Sequence, residues 1–404
     1  MNEAIKIVRD DNNQIRLKTA LTIWVLYVSD AFRRHMTLQL NKCGSVNVEF
    51  LEQNPRMMDG LKRSLPDLIF VETGPNWAQR VIELQRVEFD GPEEHDISLI
   101  VFGDETDNHG LRLALRLGAT DFISAQSTVE EFFSVLKNAA EEKVASRKLA
   151  DILVFLNTKG GSGATTIALN TAVEVATHYP ERVLILDLDM HFGVVMDYLN
   201  LTPVYSISDV VANLSDLDEI SLQSLVTKHE SGVHVLSFKA ENHHENYEKA
   251  QFVGRLIPVL REYYDYIFVD FSGGVDHFFS PILTQAARIF LVTQQNLVAI
   301  KNTSKIAKTL AFDYGIDRAQ MSLIVNRYEK RQQIKLKDIQ QTISGIDVHM
   351  VPNDFKIAIE SANLGRPVVS SKKSSSIAKS VVELAQLVSP DLKETKGWLK
   401  GLFS

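Results

Sequence analysis

Between an apolar run, ILVFLN, and a run of helical period, IALNTAVEVAT, stand Lys159, Gly160, Gly161, Ser162, Gly163, Ala164, Thr165 and Thr166. A glycine-rich turn between strand and helix points backbone N–H groups into one concavity, and the helix N-terminus adds a partial positive charge, so such a turn can cradle phosphates. Thr165 stands where a hydroxyl would reach a Mg2+ ion carried by those phosphates. Two other apolar runs end in acids: VLIL leads into Asp187-Leu188-Asp189, and YIFV into Asp270. A hard cation takes oxygen ligands and an attacking water needs an acceptor, so acids at i and i+2 past a strand end suit both tasks. The same glycines also serve a ligand-free tight turn, and a strand-end acid standing alone is commonly just solvated. The two readings part on whether turn and acids converge in space.

The elements that must position these residues alternate along the chain. Over residues 20–140, LTIWVLYVS, VNVEFLE, DLIFVE, SLIVFG and TDFIS read as five strands of a parallel sheet separated by helical segments. The last helix is expected to start at Ser127, with Glu130 closing a capping box and an apolar stripe through Phe132, Phe133 and Leu136. Beyond Ala140 the stretch EEKVASRKLAD turns charged, which places a linker at 141–150. A second series, DILVFLNT, RVLILDLD, GVHVLSF, YDYIFVDF, RIFLVTQ and SLIVNR, is almost continuously apolar, as expected of strands covered on both faces. It defines a second α/β domain over 151–390, after a 1–19 extension and before a 391–404 tail, with a closing helix from about Ser376 to Val388.

A chain of 404 residues, 45% apolar and 23% charged, has the composition of two packed domains. Its formal net charge of −8 argues against nonspecific nucleic-acid binding, so DNA is an unlikely partner on this reading. The single Cys43 cannot form an intrachain disulfide or supply the cysteines of an iron–sulfur site. The N-terminus lacks the apolar core of a signal peptide, which makes the cytoplasm the expected compartment. No apolar run reaches the roughly 20 residues that span a bilayer, so membrane contact is expected only at the periphery. In the tail, Trp398, Leu399, Leu402 and Phe403 would share one side of a helix with lysines elsewhere. That pattern suits an interfacial anchor or packing onto the protein's own surface or a dimer partner. The basic run 327–337 suits either DNA phosphates or a solvated helix face.

With these residues in place, KGGSGATT resembles the deviant Walker A loop of the MinD/ParA ATPases, K-G-G-x-G-K-[ST]. The resemblance implies ATP and Mg2+ as cofactors, with the loop residues 159–166 holding phosphates. It implies that Lys159 reaches across an ATP-sandwiched homodimer to the partner's nucleotide. Asp187 and Asp270 match the positions that, with Thr165, manage Mg2+, and Asp189 matches the residue that orients the attacking water. Ser272-Gly273-Gly274 falls at switch II. Asn326 and Arg327, with Pro352, Asn353 and Asp354, resemble the segments framing adenine, and the stretch 362–368 matches a late A-x-x-G-x-P-V pattern. The family's second lysine falls at Ala164, a departure that implies weaker ATP binding and slow or absent hydrolysis. A charge-assisted hydrogen bond contributes about 1.5–3 kcal/mol, so its loss corresponds to a roughly 10- to 100-fold change in affinity.

The first domain resembles a response-regulator receiver, a flavodoxin-like parallel sheet, on the segments 66–72 and 117–123. Its phosphoacceptor position reads Glu72, its acidic pair Ser29-Asp30 and its lysine position Ala125, so no phosphorylation is expected. A degenerate receiver joined to an alanine-bearing P-loop is similar to the CpaE/TadZ family. That likeness implies a dimeric ATP-dependent scaffold that localises and assembles a Flp/Tad-type pilus secretion system, with pilus proteins as partners of the receiver-like domain. It places the protein in the cytoplasm, peripherally at the inner membrane or cell pole. A ParA-like DNA partition ATPase is the alternative.

Overall fold

The computed structural model describes residues 15, 17–54, 57, 66–85, 97–146, 148–239, 243–274 and 277–393. The expected amphipathic tail and most of the 1–19 extension lie outside the described residues. The chain forms two compact units: Met1–Arg147 with Asp218–Ile220, and Lys148–Leu217 with Ser221–Ser404.

In the first unit β1 (Leu21–Tyr27), β2 (Val46–Glu52), β3 (Leu68–Glu72), β4 (Ser98–Gly103) and β5 (Ala119–Ser124) form one parallel sheet, ordered β2-β1-β3-β4-β5. Successive side chains on a strand face opposite sides, and the sequence follows that period. Ile23, Val25, Phe70, Ile100 and Phe102 pack with α1 (Asp30–Leu40) and α4 (Val129–Ser146). Trp24, Leu26, Ile69, Val71, Leu99 and Val101 face the other way, onto α2 (Trp77–Gln85) and α3 (Asn108–Arg116).

Two local expectations are corrected. Because α4 begins at Val129, the carboxylate that reaches back is Glu131, accepting the Thr128 N–H at 2.6 Å, while Glu130 stands 3.8 Å from Lys42. The helix also runs through the charged stretch to Ser146. Val144 continues the stripe of Leu136 and Ala140, and Lys143 pairs with Asp67 at 2.7 Å.

The second unit holds an eight-stranded sheet, ordered β13-β12-β11-β6-β10-β7-β9-β8. Its strands are β6 (Asp151–Asn157), β7 (Val183–Asp187), β8 (Thr227–Lys228), β9 (Val233–Ser237), β10 (Tyr266–Phe271), β11 (Arg288–Thr293), β12 (Met321–Tyr328) and β13 (Asp347–Pro352). All pairings are parallel except that of β8, an antiparallel edge strand. α5 (Ala164–Ala176) is apolar nearly all round because it is buried between this sheet and the helix Ser376–Val388. From β6 the chain builds outward in both directions, which puts the order reversal at the C-terminal end of β6, the place where doubly wound sheets take ligands.

Candidate functional site

β6 ends at Asn157, and the turn that follows delivers the chain into α5. Gly163 caps the helix with φ +100, in the left-handed region, and a Cβ there would lie 2.3 Å from Asn326 Nδ2. A Cβ on Gly160 or Gly161 would meet nothing within 4 Å, so the outer side of the turn is open. The first N–H groups of a helix have no carbonyl of their own helix to bond. Here Ala164 N–H donates to Asn157 Oδ1 at 3.0 Å, while the buried Thr165 and the half-buried Thr166 continue the first turn. Lys159 is exposed, and its carbonyl accepts the Ser162 N–H at 3.0 Å and the Ser162 hydroxyl at 2.7 Å, which fixes the turn.

The acids are brought to this end of the sheet because β10 lies beside β6 and β7 lies beside β10. Asp187 and Asp270 are register partners on β7 and β10, and Asp270 is also the register partner of Phe155 on β6. Both are fully buried. Burial pushes the Asp187 carboxyl well above the usual carboxylate range, and the neighbouring Asp270 raises it further. Burial also pushes Asp270 up to about 6, against the opposing hydrogen bonds of Thr165 and Ser272. Asp187 Oδ1 accepts the Asp189 N–H at 3.1 Å and its Oδ2 the Val195 N–H at 3.3 Å, whereas Asp270 Oδ2 has no hydrogen-bond partner among the described residues. Asp189 shapes the following turn, its Oδ1 accepting the N–H groups of His191 at 3.0 Å and Phe192 at 2.9 Å. Its carboxylate presses against Gly273, where a Cβ would lie 2.6 Å from Oδ2. A cleft of about 460 Å3 opens beside it, lined by Asp189, His191, Gly273 and Gly274 among others.

These residues fit a magnesium-bound nucleotide. A buried carboxylate oxygen without a partner, next to a second buried acid and a threonine hydroxyl, is a donor set that wants a hard cation. Among the described residues no group of three or more His, Cys, Asp or Glu could hold a metal alone. Mg2+ is ordinarily held by one or two carboxylates together with waters and substrate phosphates. The buried Ala164 marks the departure, since no ammonium stands at that position.

The residues expected to frame adenine are engaged within the protein itself. Asn326 Nδ2 donates to the Ser162 carbonyl at 2.8 Å and its Oδ1 accepts the Arg327 N–H at 2.8 Å, so Asn326 braces the phosphate turn. Arg327 adopts φ +52, with its guanidinium 5.4 Å from the centre of the Phe355 ring. Pro352 ends β13, Asn353 bonds Glu329, and Asp354 caps the helix Phe355–Leu364 through the Ile357 N–H at 3.4 Å. The basic run crosses a strand end, a turn and the start of the helix Leu336–Thr342, so it is not one helix face. Sequence reasoning missed Asn157, whose signal is a polar residue closing a buried strand, and Phe355, which follows the capping aspartate.

Comparison with known proteins agrees with this geometry. Residues 150–320 match the family AAA_31, an AAA domain. The septum site-determining protein MinD of Synechocystis sp. is 28% identical over 229 residues, covering 55% of this chain and 83% of that protein. MinD of Thermotoga maritima is 28% identical over 254 residues, covering 59% and 88%. The fold is that of a ParA family ATPase from Chlorobium tepidum (TM-score 0.53, 24% identity, 59% of this chain and 98% of that one). It is equally that of the cell division ATPase MinD from Pyrococcus furiosus (TM-score 0.51, 22% identity, 59% and 98%). These relatives do not tie the chain to the pilus subfamily, and they do not identify a receiver domain.

The expectation that DNA is an unlikely partner is withdrawn. The net charge of −8 behind that expectation sums over both units and says nothing about one face. Among the described residues no helix is long and apolar enough to cross a membrane.

Proposed function

From a second unit whose sequence and fold resemble those of the MinD/ParA ATPases, we propose that the protein is an ATP-binding positioning or partition factor whose dimeric state follows its nucleotide. The observation that carries this reading is the convergence of the buried Asp187–Asp270 pair on the glycine turn and on Thr165. In the bound state the turn amides and the α5 N-terminus hold the phosphates, Thr165, Asp187 and Asp270 hold Mg2+, and Asp189 faces the water. Phe192, 82% exposed beside Asp189, and the exposed Lys159 suit a face that a second copy covers. With Ala164 in place of an ammonium, the nucleotide acts more as a switch than as a fuel.

Sedimentation of the full chain with and without ATP and Mg2+ tests this. Dimerisation only with ATP supports the switch; identical behaviour without nucleotide overturns it.

The narrower reading, a Flp/Tad pilus localisation factor, draws on the first unit. Its strand order 2-1-3-4-5 is flavodoxin-like, and Glu72 stands at the phosphoacceptor position ahead of an alanine-bearing P-loop. Salt-dependent retention on nonspecific DNA separates the two, since a partition factor neutralises phosphates and releases counterions.

A further inference from the structure

On the flank of the phosphate turn lies a second cavity, of about 440 Å3, between the end of β6 and the helix Leu297–Phe312. Its volume falls in the range of small-molecule sites, roughly 300–1,000 Å3. Its apolar wall is made by Leu156, Leu283 and Leu310, each 2% exposed. Among the described residues that line it, the exposed Lys305 is the one charged side chain. An apolar pocket with a single cation at its entrance is complementary to a ligand with an apolar body and one negative charge.

Two lining residues also belong to the nucleotide site. Asn157 accepts the Ala164 N–H through Oδ1 at 3.0 Å and donates through Nδ2 to the Ser272 carbonyl at 3.0 Å, joining the α5 N-terminus to switch II along one wall of the cavity. Gly274, with φ +106, lines both this cavity and the cleft beside Asp189, so switch II is the partition between them.

We propose that this cavity is an effector site for a small amphiphilic anion, and that its occupancy is coupled to the nucleotide through Asn157 and Gly274. A phosphate seated at the α5 N-terminus competes with Asn157 Oδ1 for the Ala164 N–H. Freed from that bond, the Asn157 amide reorients in the cavity wall, so the site differs between the two states. A ligand shifts an equilibrium only through such a difference, and the coupling acts equally in both directions. The expected sign is negative: nucleotide weakens the anion. The coupling half rests on the nucleotide reading above, whereas the cavity half does not.

The probe is 8-anilinonaphthalene-1-sulfonate, an apolar body bearing one sulfonate, titrated by fluorescence into the full chain without nucleotide. One saturable site is expected, lost when Asn302→Trp fills the cavity and weakened about tenfold or more by Lys305→Glu, with both variants melting like wild type. Binding that neither variant changes, or no binding, overturns the site. Adding ATP and Mg2+ is expected to weaken the dye at least about fivefold, at the lower end of typical couplings. An unchanged dye affinity, while a fluorescent ATP analogue is seen to bind, overturns the coupling alone. If that analogue does not bind, the proposed function falls and the coupling with it, and the dye titration still decides the cavity.

Discussion

The carboxyl groups of Asp187 and Asp270 project from register partners on adjacent parallel strands, both out of contact with solvent. Burial and the proximity of the two acids raise the cost of ionising them, and a bound cation would offset that cost.

The first prediction concerns this pair. A carboxyl whose folded value is raised above its unfolded one stabilises the fold below the unfolded value, and that contribution is lost as pH rises through the folded value. With Asp270 pushed up to about 6, its own contribution to the stability of the nucleotide-free protein should fall by roughly 3 kcal/mol as pH rises from below 4 to 7. Asp270→Asn should flatten that loss and raise stability at pH 7 without Mg2+, while weakening Mg2+-dependent ATP binding roughly 10- to 100-fold. Urea denaturation at several pH values and nucleotide titration measure the two arms; a variant less stable at pH 7 would contradict the account.

Restoring the absent ammonium is the second. Ala164→Lys should tighten ATP binding roughly 10- to 100-fold, because a charge-assisted hydrogen bond is gained. It should lower stability without nucleotide, since position 164 is fully buried. Isothermal titration and thermal melts with and without ATP check both directions.

Away from the site, His234 gives a pH dependence of opposite sign. It is 1% exposed, its Nδ1 lies 3.0 Å from the Tyr264 hydroxyl, and burial lowers its pKa to about 4. A depressed folded value means full stability above the unfolded value near 6.5, and loss as pH falls toward 4. The loss should reach roughly 3 kcal/mol. His234→Phe should remove that slope in denaturation between pH 7 and pH 4; an unaltered slope would assign it elsewhere.

In the first unit Glu72 is committed to structure. Its carboxylate accepts the N–H groups of Val28 at 2.6 Å and Ser29 at 2.8 Å and the Ser29 hydroxyl at 2.6 Å, which fixes the entry to α1. Glu72→Ala should destabilise this unit by about 1–3 kcal/mol by leaving those donors unpaired. Intact protein incubated with acetyl phosphate should show no change in mass; an added phosphate would refute the structural role.

Local pattern in the sequence was enough for the strands that the core covers on both faces, and for the glycine turn, because continuous apolar runs and glycines at fixed offsets are consequences of burial and backbone sterics. β13, half exposed at the sheet edge, and the two-residue β8 escaped for the same reason: edge strands carry no such run. The cap of α4 was misplaced by one residue, Ser127 in place of Thr128, since Ser-Thr offers two candidate caps and only packing selects between them. What folding alone decided is which distant groups meet. The pairing of β7 with β10 confines Asp187 beside Asp270, Asn326 is brought 164 residues along the chain to brace Ser162, and Asn157 is placed between the phosphate turn and switch II. Such encounters depend on strand order, a property of the whole sheet that no single segment encodes.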